Sequence, residues 1–160
     1  MRAPFGIKNK NQSGFTIIEI MIVLAVASLI MLIVFLAVPA LQRNARNTNR
    51  TSDATKVASG VNECLSNKNN VVTSCNTTAA IIGSTLDTAT LRQLTGVAVG
   101  ANANGGTPAF PGDAATAWVF FGQKCGTDGS TFAAGNSQQF VVLYNAESSG
   151  GGNINRCVSG

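Results

Sequence analysis

One long apolar run dominates the hydrophobic pattern of the chain. Residues 15–41 are apolar except at Thr16, Glu19, Ser28 and Pro39. At about 1.5 Å per residue a helix of this length is roughly 40 Å long, which exceeds the roughly 30 Å hydrocarbon core of a bilayer. The run therefore predicts a single membrane-spanning helix.

A second, amphipathic stretch follows the apolar run. Residues 42–66 contain no proline, so the helix is expected to continue to about residue 66. Apolar residues recur there at helical spacing and form one stripe; they are Ala54, Val57, Ala58, Val61 and Leu65. Such a stripe needs a cover, which the C-terminal part of the chain is expected to supply.

Strands are predicted near the C-terminus. Residues 117–123 and 139–145 are dense in aromatic and β-branched residues, and residues 155–158 follow a glycine-rich turn. The largest side chains are expected on the two faces of the sheet; they are Trp118, Phe120, Phe140, Val142 and Tyr144. The predicted fold is α+β. A long N-terminal helix, with a transmembrane half and an amphipathic half, packs against a small C-terminal antiparallel sheet.

The segment between the long helix and the strands is predicted to be mostly loop. Residues 67–85 and 100–112 are rich in Asn, Thr, Gly or Pro, which favours irregular structure. Ser84 and Asp87 are spaced like a capping box, so a short helix is expected over residues 86–94.

Glu19 is the most informative residue of the apolar run. A carboxylate within a membrane span costs several kcal/mol unless it is paired or neutralised. A cut between Gly14 and Phe15 would create an α-amino group four residues before Glu19, largely protonated at neutral pH. This amine can pair with Glu19 of its own chain, or of a neighbour displaced along the helix axis. The alternative is that Glu19 is simply solvated at the headgroup level.

Three fates are compatible with an apolar N-terminal segment. Arg2, Lys8 and Lys10 precede the run, which favours a cytoplasmic N-terminus. The segment can remain as an uncleaved signal anchor. It can also be an ordinary signal peptide cut before Leu41, although its apolar region is longer than the usual 7–15 residues. The third fate is removal of a short leader before Phe15.

The residues around this third cut resemble a known family. The sequence Gly14-Phe15-Thr16-Ile17-Ile18-Glu19, followed by further apolar residues, is similar to the prepilin-peptidase site of type IV pilins and their pseudopilin relatives. The resemblance covers residues 8–42. It implies cleavage after Gly14, N-methylation of Phe15, and a role for Glu19 in recruiting and aligning subunits. A pilin-like fold is expected.

The resemblance also suggests where the chain divides. It implies a leader at residues 1–14, a transmembrane and filament-core helix at 15–41, and a periplasmic or extracellular domain at 42–160. Two departures from the family pattern stand out, because Pro39 comes about three residues late and Ser28 replaces a common glycine. A break in the helix is expected at Pro39, since proline removes a helix hydrogen bond.

The chain has four cysteines, which are Cys64, Cys75, Cys125 and Cys157. With a membrane segment ahead of them, an even number predicts two disulfides in an oxidising compartment. Three connectivities are possible. The pairs Cys64–Cys75 and Cys125–Cys157 are favoured because each closes a local loop, and four free buried thiols are the alternative. The C-terminal pair also resembles the disulfide-bounded segment of type IV pilins.

Composition excludes several functions. The chain has no histidine, which excludes histidine-dependent triads and histidine-ligated metal sites. Its net charge is +4, but three basic residues lie in the first ten, so specific nucleic-acid binding is not predicted. Asp87, Asp113 and Asp128 are calcium ligands by residue type but lack the spacing of a calcium loop. No cofactor, metal or enzymatic activity is predicted.

The basic residues after the apolar run allow two interpretations. Arg43, Arg46 and Arg50 are expected either to form a solvated face or to bind other groups. In the second case they would meet lipid headgroups before assembly, and acidic groups or carbonyls of a neighbour afterwards.

The leading hypothesis is a structural subunit of a type IV pilus filament, a helical homo-oligomer that supports motility, adhesion or DNA uptake. It implies prepilin peptidase and the assembly machinery as partners, the inner membrane before assembly and the cell exterior afterwards. One alternative is a pseudopilin of a secretion or competence system. Another is a membrane-anchored binding domain that never polymerises.

Overall fold

The computed structural model of the chain describes residues 14–100 and 108–160. The leader predicted at residues 1–14 lies outside the described residues except for Gly14, as does most of the loop predicted at 100–112. The chain divides into two compact units after Pro39.

The first unit contains the N-terminal part of one helix, α1, which spans Ile17–Asn67. In this part, residues 17–39, the apolar side chains are exposed on all sides of the helix, as the 61% exposure of Leu29 illustrates. Among the described residues, α1 is the one helix long and apolar enough to cross a membrane, judged by length and composition alone. α1 is continuous through Pro39. A loss of helicity around Pro39 in an assembled filament stays a prediction.

The second unit holds the remaining elements. Among its described residues are a short helix α2 and six strands: α2 Thr78–Ile81, β1 Gly96–Val99, β2 Thr116–Phe121, β3 Gln123–Cys125, β4 Phe132–Ala134, β5 Phe140–Glu147 and β6 Asn153–Ser159. The main sheet has the order β1-β2-β5-β6, and β3 pairs with β4 in a separate hairpin. Strands β2, β5 and β6 are antiparallel, whereas β1 is parallel to β2.

The main core lies between α1 and one face of the sheet. The predicted helix stripe is buried as expected, with Val57 and Val61 fully inaccessible to solvent. It packs with side chains that alternate along β2 and β5 and share one face; they are Ala117, Val119, Phe121, Phe140, Val142 and Tyr144. Gly60 is buried beside this stripe. A Cβ at this position would lie 3.0 Å from the Cβ of Leu86, so the close approach of Leu86 favours glycine.

A second, smaller core lies on the opposite face of the sheet. Phe120, Val141 and Leu143 are buried there, with Trp118, Phe110 and Phe132 packed against them. Phe132 belongs to β4, so the β3–β4 hairpin helps to cover this face. Aromatic side chains therefore occupy both faces of the sheet, as the sequence pattern predicted.

The structure confirms the α+β class, with a long N-terminal helix and an antiparallel-rich C-terminal sheet. The short helix predicted over residues 86–94 was wrong. This segment forms a single 3₁₀ turn at Thr88–Thr90 and then extends into β1, which was not predicted. Asp87 caps that turn by accepting from the Ala89 N–H, but Ser84 instead donates to the carbonyl of Ala80.

Candidate functional site

The predicted processing site lies at the N-terminal end of the first unit. Gly14, Phe15 and Thr16 precede α1 without regular secondary structure, and Phe15 is 84% exposed. The peptide bond between Gly14 and Phe15 is thus at the surface and outside the helix, where a peptidase can reach it. Cleavage at this bond and methylation of Phe15 stay predictions.

Glu19 forms a reciprocal cap with Thr16. Its carboxylate accepts hydrogen bonds from the backbone N–H and the hydroxyl of Thr16, both at 2.8 Å. The Thr16 hydroxyl accepts from the backbone N–H of Glu19 at 3.4 Å. This capping box satisfies donors at the start of α1. Glu19 therefore has a hydrogen-bond partner within its own chain.

A cluster that we call the Glu147 clamp joins α1 to the end of β5. Arg46 donates from Nε and Nη2 to the Glu147 carboxylate, at 3.0 and 2.6 Å, and Arg50 donates from Nη2 at 2.8 Å. The Asn47 side chain binds both the N–H and the carbonyl of Glu147, at 2.8 and 2.9 Å. Three residues of α1 thus hold one strand residue by its side chain and its backbone.

The charges of the clamp favour an ionised Glu147. Hydrogen bonds from Arg46 and Arg50, together with the charges of both guanidinium groups, lower the pKa of Glu147 to about 2. Burial acts in the opposite direction but is outweighed. The Arg50 side chain is 8% exposed, so it depends on Glu147 to balance its charge. Residues 46 and 50 thus pair within their own chain and do not form a wholly solvated face.

A second buried carboxylate, Asp53, holds the segment that leads into β1. Its Oδ2 accepts from the backbone N–H groups of Arg92, Gln93 and Leu94, at 2.8, 2.7 and 3.2 Å. Lys56 lies 3.6 Å from the other carboxylate oxygen. Burial raises the pKa of Asp53, but the three N–H donors and the charge of Lys56 outweigh burial, so the pKa is lowered overall.

The cysteines form two disulfides, Cys64–Cys75 and Cys125–Cys157, with Cα–Cα distances of 6.1 and 5.7 Å. These are the two local pairs favoured from the sequence. The first fixes the end of α1 to the following loop. The second joins β3 to β6, at the edge of the smaller core.

The aspartates considered as calcium ligands serve separate turns. Asp113 accepts from the N–H groups of Ala115 and Thr116, and Asp128 accepts from those of Ser130 and Thr131. These bonds lower the pKa of both carboxyl groups. Within residues 14–100 and 108–160, no group of three or more His, Cys, Asp or Glu side chains could hold a metal ion.

Comparison with known proteins identifies the N-terminal region. Residues 9–35 match the model of the prokaryotic N-terminal methylation motif. Searches of curated proteins and of solved structures found no match. The match includes Gly14, Phe15 and Glu19, the three residues that carry the resemblance described above. The N-terminal region of the chain therefore carries the class III signal peptide of type IV pilins, at residues 9–35.

Proposed function

We propose that the chain is a structural subunit of a type IV pilus filament. In this proposal prepilin peptidase cuts after Gly14 and methylates the new N-terminus at Phe15. The subunit stays in the inner membrane through α1 until the assembly machinery extracts it, and identical subunits then form a helical filament outside the cell. The chemistry belongs to the processing enzymes, so the chain itself needs no catalytic residue.

The observation that carries the proposal is the methylation motif at residues 9–35, at the start of a helix whose apolar side chains are exposed over residues 17–38. Exposed apolar surface of this extent requires lipid or other apolar helices around it. The membrane supplies these surroundings before assembly. Packing of many copies of the same helix supplies them afterwards.

Glu19 is proposed to align neighbouring subunits within that packing. Its bonds to Thr16 satisfy part of the carboxylate, but a full negative charge among apolar helices still favours a cation. The methylated amino group of Phe15 on a neighbour displaced along the axis can provide one. A shift in register would leave the charge without this partner, so the pair would select one axial offset.

The same motif is shared by pseudopilins, which form a short periplasmic structure. Two features favour a pilin. The second unit contains a sheet on a buried helix face, and a disulfide joins β3 to β6 near the C-terminus. Long surface fibres that contain this chain would support the pilin. A short periplasmic assembly would support the pseudopilin.

The proposal can be tested with Glu19→Ala, expressed in cells that otherwise lack the protein. We expect the variant to reach the membrane and to leave few or no filaments in the sheared surface fraction. Ser28→Ala is a matched control, because Ser28 lies in the same apolar segment and donates only to the carbonyl of Leu24 in its own helix. Wild-type amounts of filament from Glu19→Ala would contradict the proposed role of Glu19. A wild-type chain that never polymerises would contradict the filament itself.

A further inference from the structure

The side-chain carboxylates of the chain differ in whether they accept a hydrogen bond from another residue. Of the seven carboxylates in the chain, six accept hydrogen bonds from residues of their own chain; they are Glu19, Asp53, Asp87, Asp113, Asp128 and Glu147. Glu63 is exposed and has no hydrogen-bond or ion-pair partner among the described residues. It is therefore the carboxylate most available to a partner molecule.

A basic surface lies near the start of the part of α1 that belongs to the second unit, about 20 residues before Glu63. Arg43, Arg46 and Arg50 occupy neighbouring turns of α1, and Glu147 pairs with the last two. Arg156 of β6 is exposed and lines a groove of about 460 Å³ together with Asn44 and Thr48 of α1. Four arginines against one carboxylate leave three positive charges in excess, and we call this set the basic end.

The surroundings of Glu63 have the opposite sign. Glu63 and Asp87 line a groove of about 570 Å³ between α1 and the segment at residues 85–90, together with the hydroxyls of Ser52, Thr55 and Ser59. Lys56 also lines this groove, but it pairs with buried Asp53 at 3.6 Å, so these two charges cancel. Two carboxylates remain in excess, and we call this groove the acidic end.

The helix fixes the spacing and the direction of the two ends. Arg43 and Glu63 are 20 residues apart in α1, which corresponds to about 30 Å along the helix and to a rotation of about 200° around it. They therefore lie on nearly opposite sides of the helix. A contact between two different, complementary surfaces of the same subunit is head-to-tail, and it builds an open helical filament when its rotation does not close a ring.

We propose that the acidic end of one subunit docks on the basic end of a second copy displaced by about 30 Å along the helix axis. Glu63 then pairs with Arg156 or Arg43 of that copy, the two arginines of the basic end without an ion pair among the described residues. Opposite charges attract in this register, whereas a copy in register with its neighbour would place like charges together. This inference rests on the proposed filament and names a contact that adds to the one at Glu19.

Charge reversal tests the proposal in the full-length protein. Glu63→Arg and the double variant Arg43→Glu/Arg156→Glu are each expected to lower the amount of sheared filament by about tenfold or more, the effect of losing a close charge pair. Combining all three substitutions restores attraction with its sign inverted, so filaments should return toward the wild-type amount. Lys124→Glu is the control, because Lys124 is an exposed lysine of β3 outside both ends. It is expected to leave filaments unchanged.

Circular dichroism of each detergent-solubilised variant separates a folding defect from an assembly defect. Wild-type filament yield from both reversed variants would overturn the proposal, as would a combined variant that folds but assembles no better than either parent. In both cases the wild-type chain would still form filaments, so the proposed function would stand. A wild-type chain that forms none would overturn both.

A cross-link gives a second, geometric test. Glu63→Cys and Arg156→Cys are combined in one chain, and filaments are treated with a short bismaleimide linker. A ladder of linked subunits on a denaturing gel is expected from the double variant, and only monomers from each single variant. The absence of a ladder from intact filaments of the double variant would contradict the proposed contact.

Discussion

The parts of α1 before and after Pro39 form one continuous helix but bury their side chains in different ways. Before Pro39 the apolar residues surround the helix and remain exposed, as at Leu29 with 61% exposure. After Pro39 they are confined to one stripe, and Leu65 is 6% exposed. The first part requires apolar surroundings from outside the chain, whereas the second receives its cover from the sheet of its own unit.

The two parts also treat their charged residues differently. In the first part, the Glu19 carboxylate accepts hydrogen bonds from Thr16, three residues away. Asp53, Arg46 and Arg50, in the second part, bind groups that are far away in the sequence. The second part thus has ion pairs and hydrogen bonds that stabilise a fold, whereas the carboxylate of the first part is bound locally and is the one proposed to act in assembly. The comparison predicts that substitutions in the two parts affect different measurements.

The largest difference is expected for a matched pair of leucine substitutions. Leu65→Ala creates a cavity in the main core and should lower the free energy of unfolding of the second unit by about 3–4 kcal/mol. Leu29→Ala should change that free energy by less than about 0.5 kcal/mol, because the side chain of Leu29 is 61% exposed. Chemical denaturation of the detergent-solubilised protein measures both. Equal losses would contradict the division of α1 into two functions.

The next largest effect is expected at Asp53. Asp53→Ala leaves three backbone N–H groups of residues 92–94 without their acceptor, which should cost roughly 2–3 kcal/mol of unfolding free energy. Lys56→Ala is the control and should cost less than about 1 kcal/mol, because its side chain is 40% exposed. Denaturation curves can be complemented by amide hydrogen exchange, which should accelerate at residues 92–94 in Asp53→Ala. Unchanged exchange there would contradict the role of Asp53.

A smaller effect, which depends on pH, is expected from the Glu147 clamp. The pKa of Glu147 is about 2 in the folded protein, below its ordinary value of 4.5, so the clamp contributes fully above about pH 4.5. This contribution is lost as the pH falls through about 2. Glu147→Gln should cost about 2 kcal/mol of unfolding free energy at neutral pH, and the difference from wild type should shrink in acid.

Glu63→Gln is the matched control for this pH dependence, because Glu63 is an exposed carboxylate without a described partner. It should change the free energy of unfolding by less than about 0.5 kcal/mol at every pH. If wild type and Glu147→Gln differed by the same amount in acid and at neutral pH, the ion pairs of the clamp would not be the cause.

The features predicted from the sequence are those encoded locally. The apolar run and the stripe of Val57, Val61 and Leu65 repeat within a few residues, so periodicity alone located α1 and its buried face. The aromatic and β-branched segments located β2 and β5 in the same way. The processing motif is also contiguous.

The features that were missed depend on distant partners or on short segments. Arg46 and Glu147 are 101 residues apart, and Asp53 binds backbone groups about 40 residues away, so no local pattern reports either contact. Strand β1 has four residues, and its parallel pairing with β2 is set by the fold. The capping box is an exception, because Thr16-x-x-Glu19 is a local pattern that indicates the start of a helix.

The processing step is the central claim, and the intact mass and N-terminal sequence of the protein recovered from cells test it most directly. We expect a chain that begins at Phe15 and carries one additional methyl group on its α-amino nitrogen. A chain that begins at Leu41 would be an ordinary secreted domain, and a chain that retains Arg2 would be a simple membrane anchor. Either of these results would contradict the filament subunit.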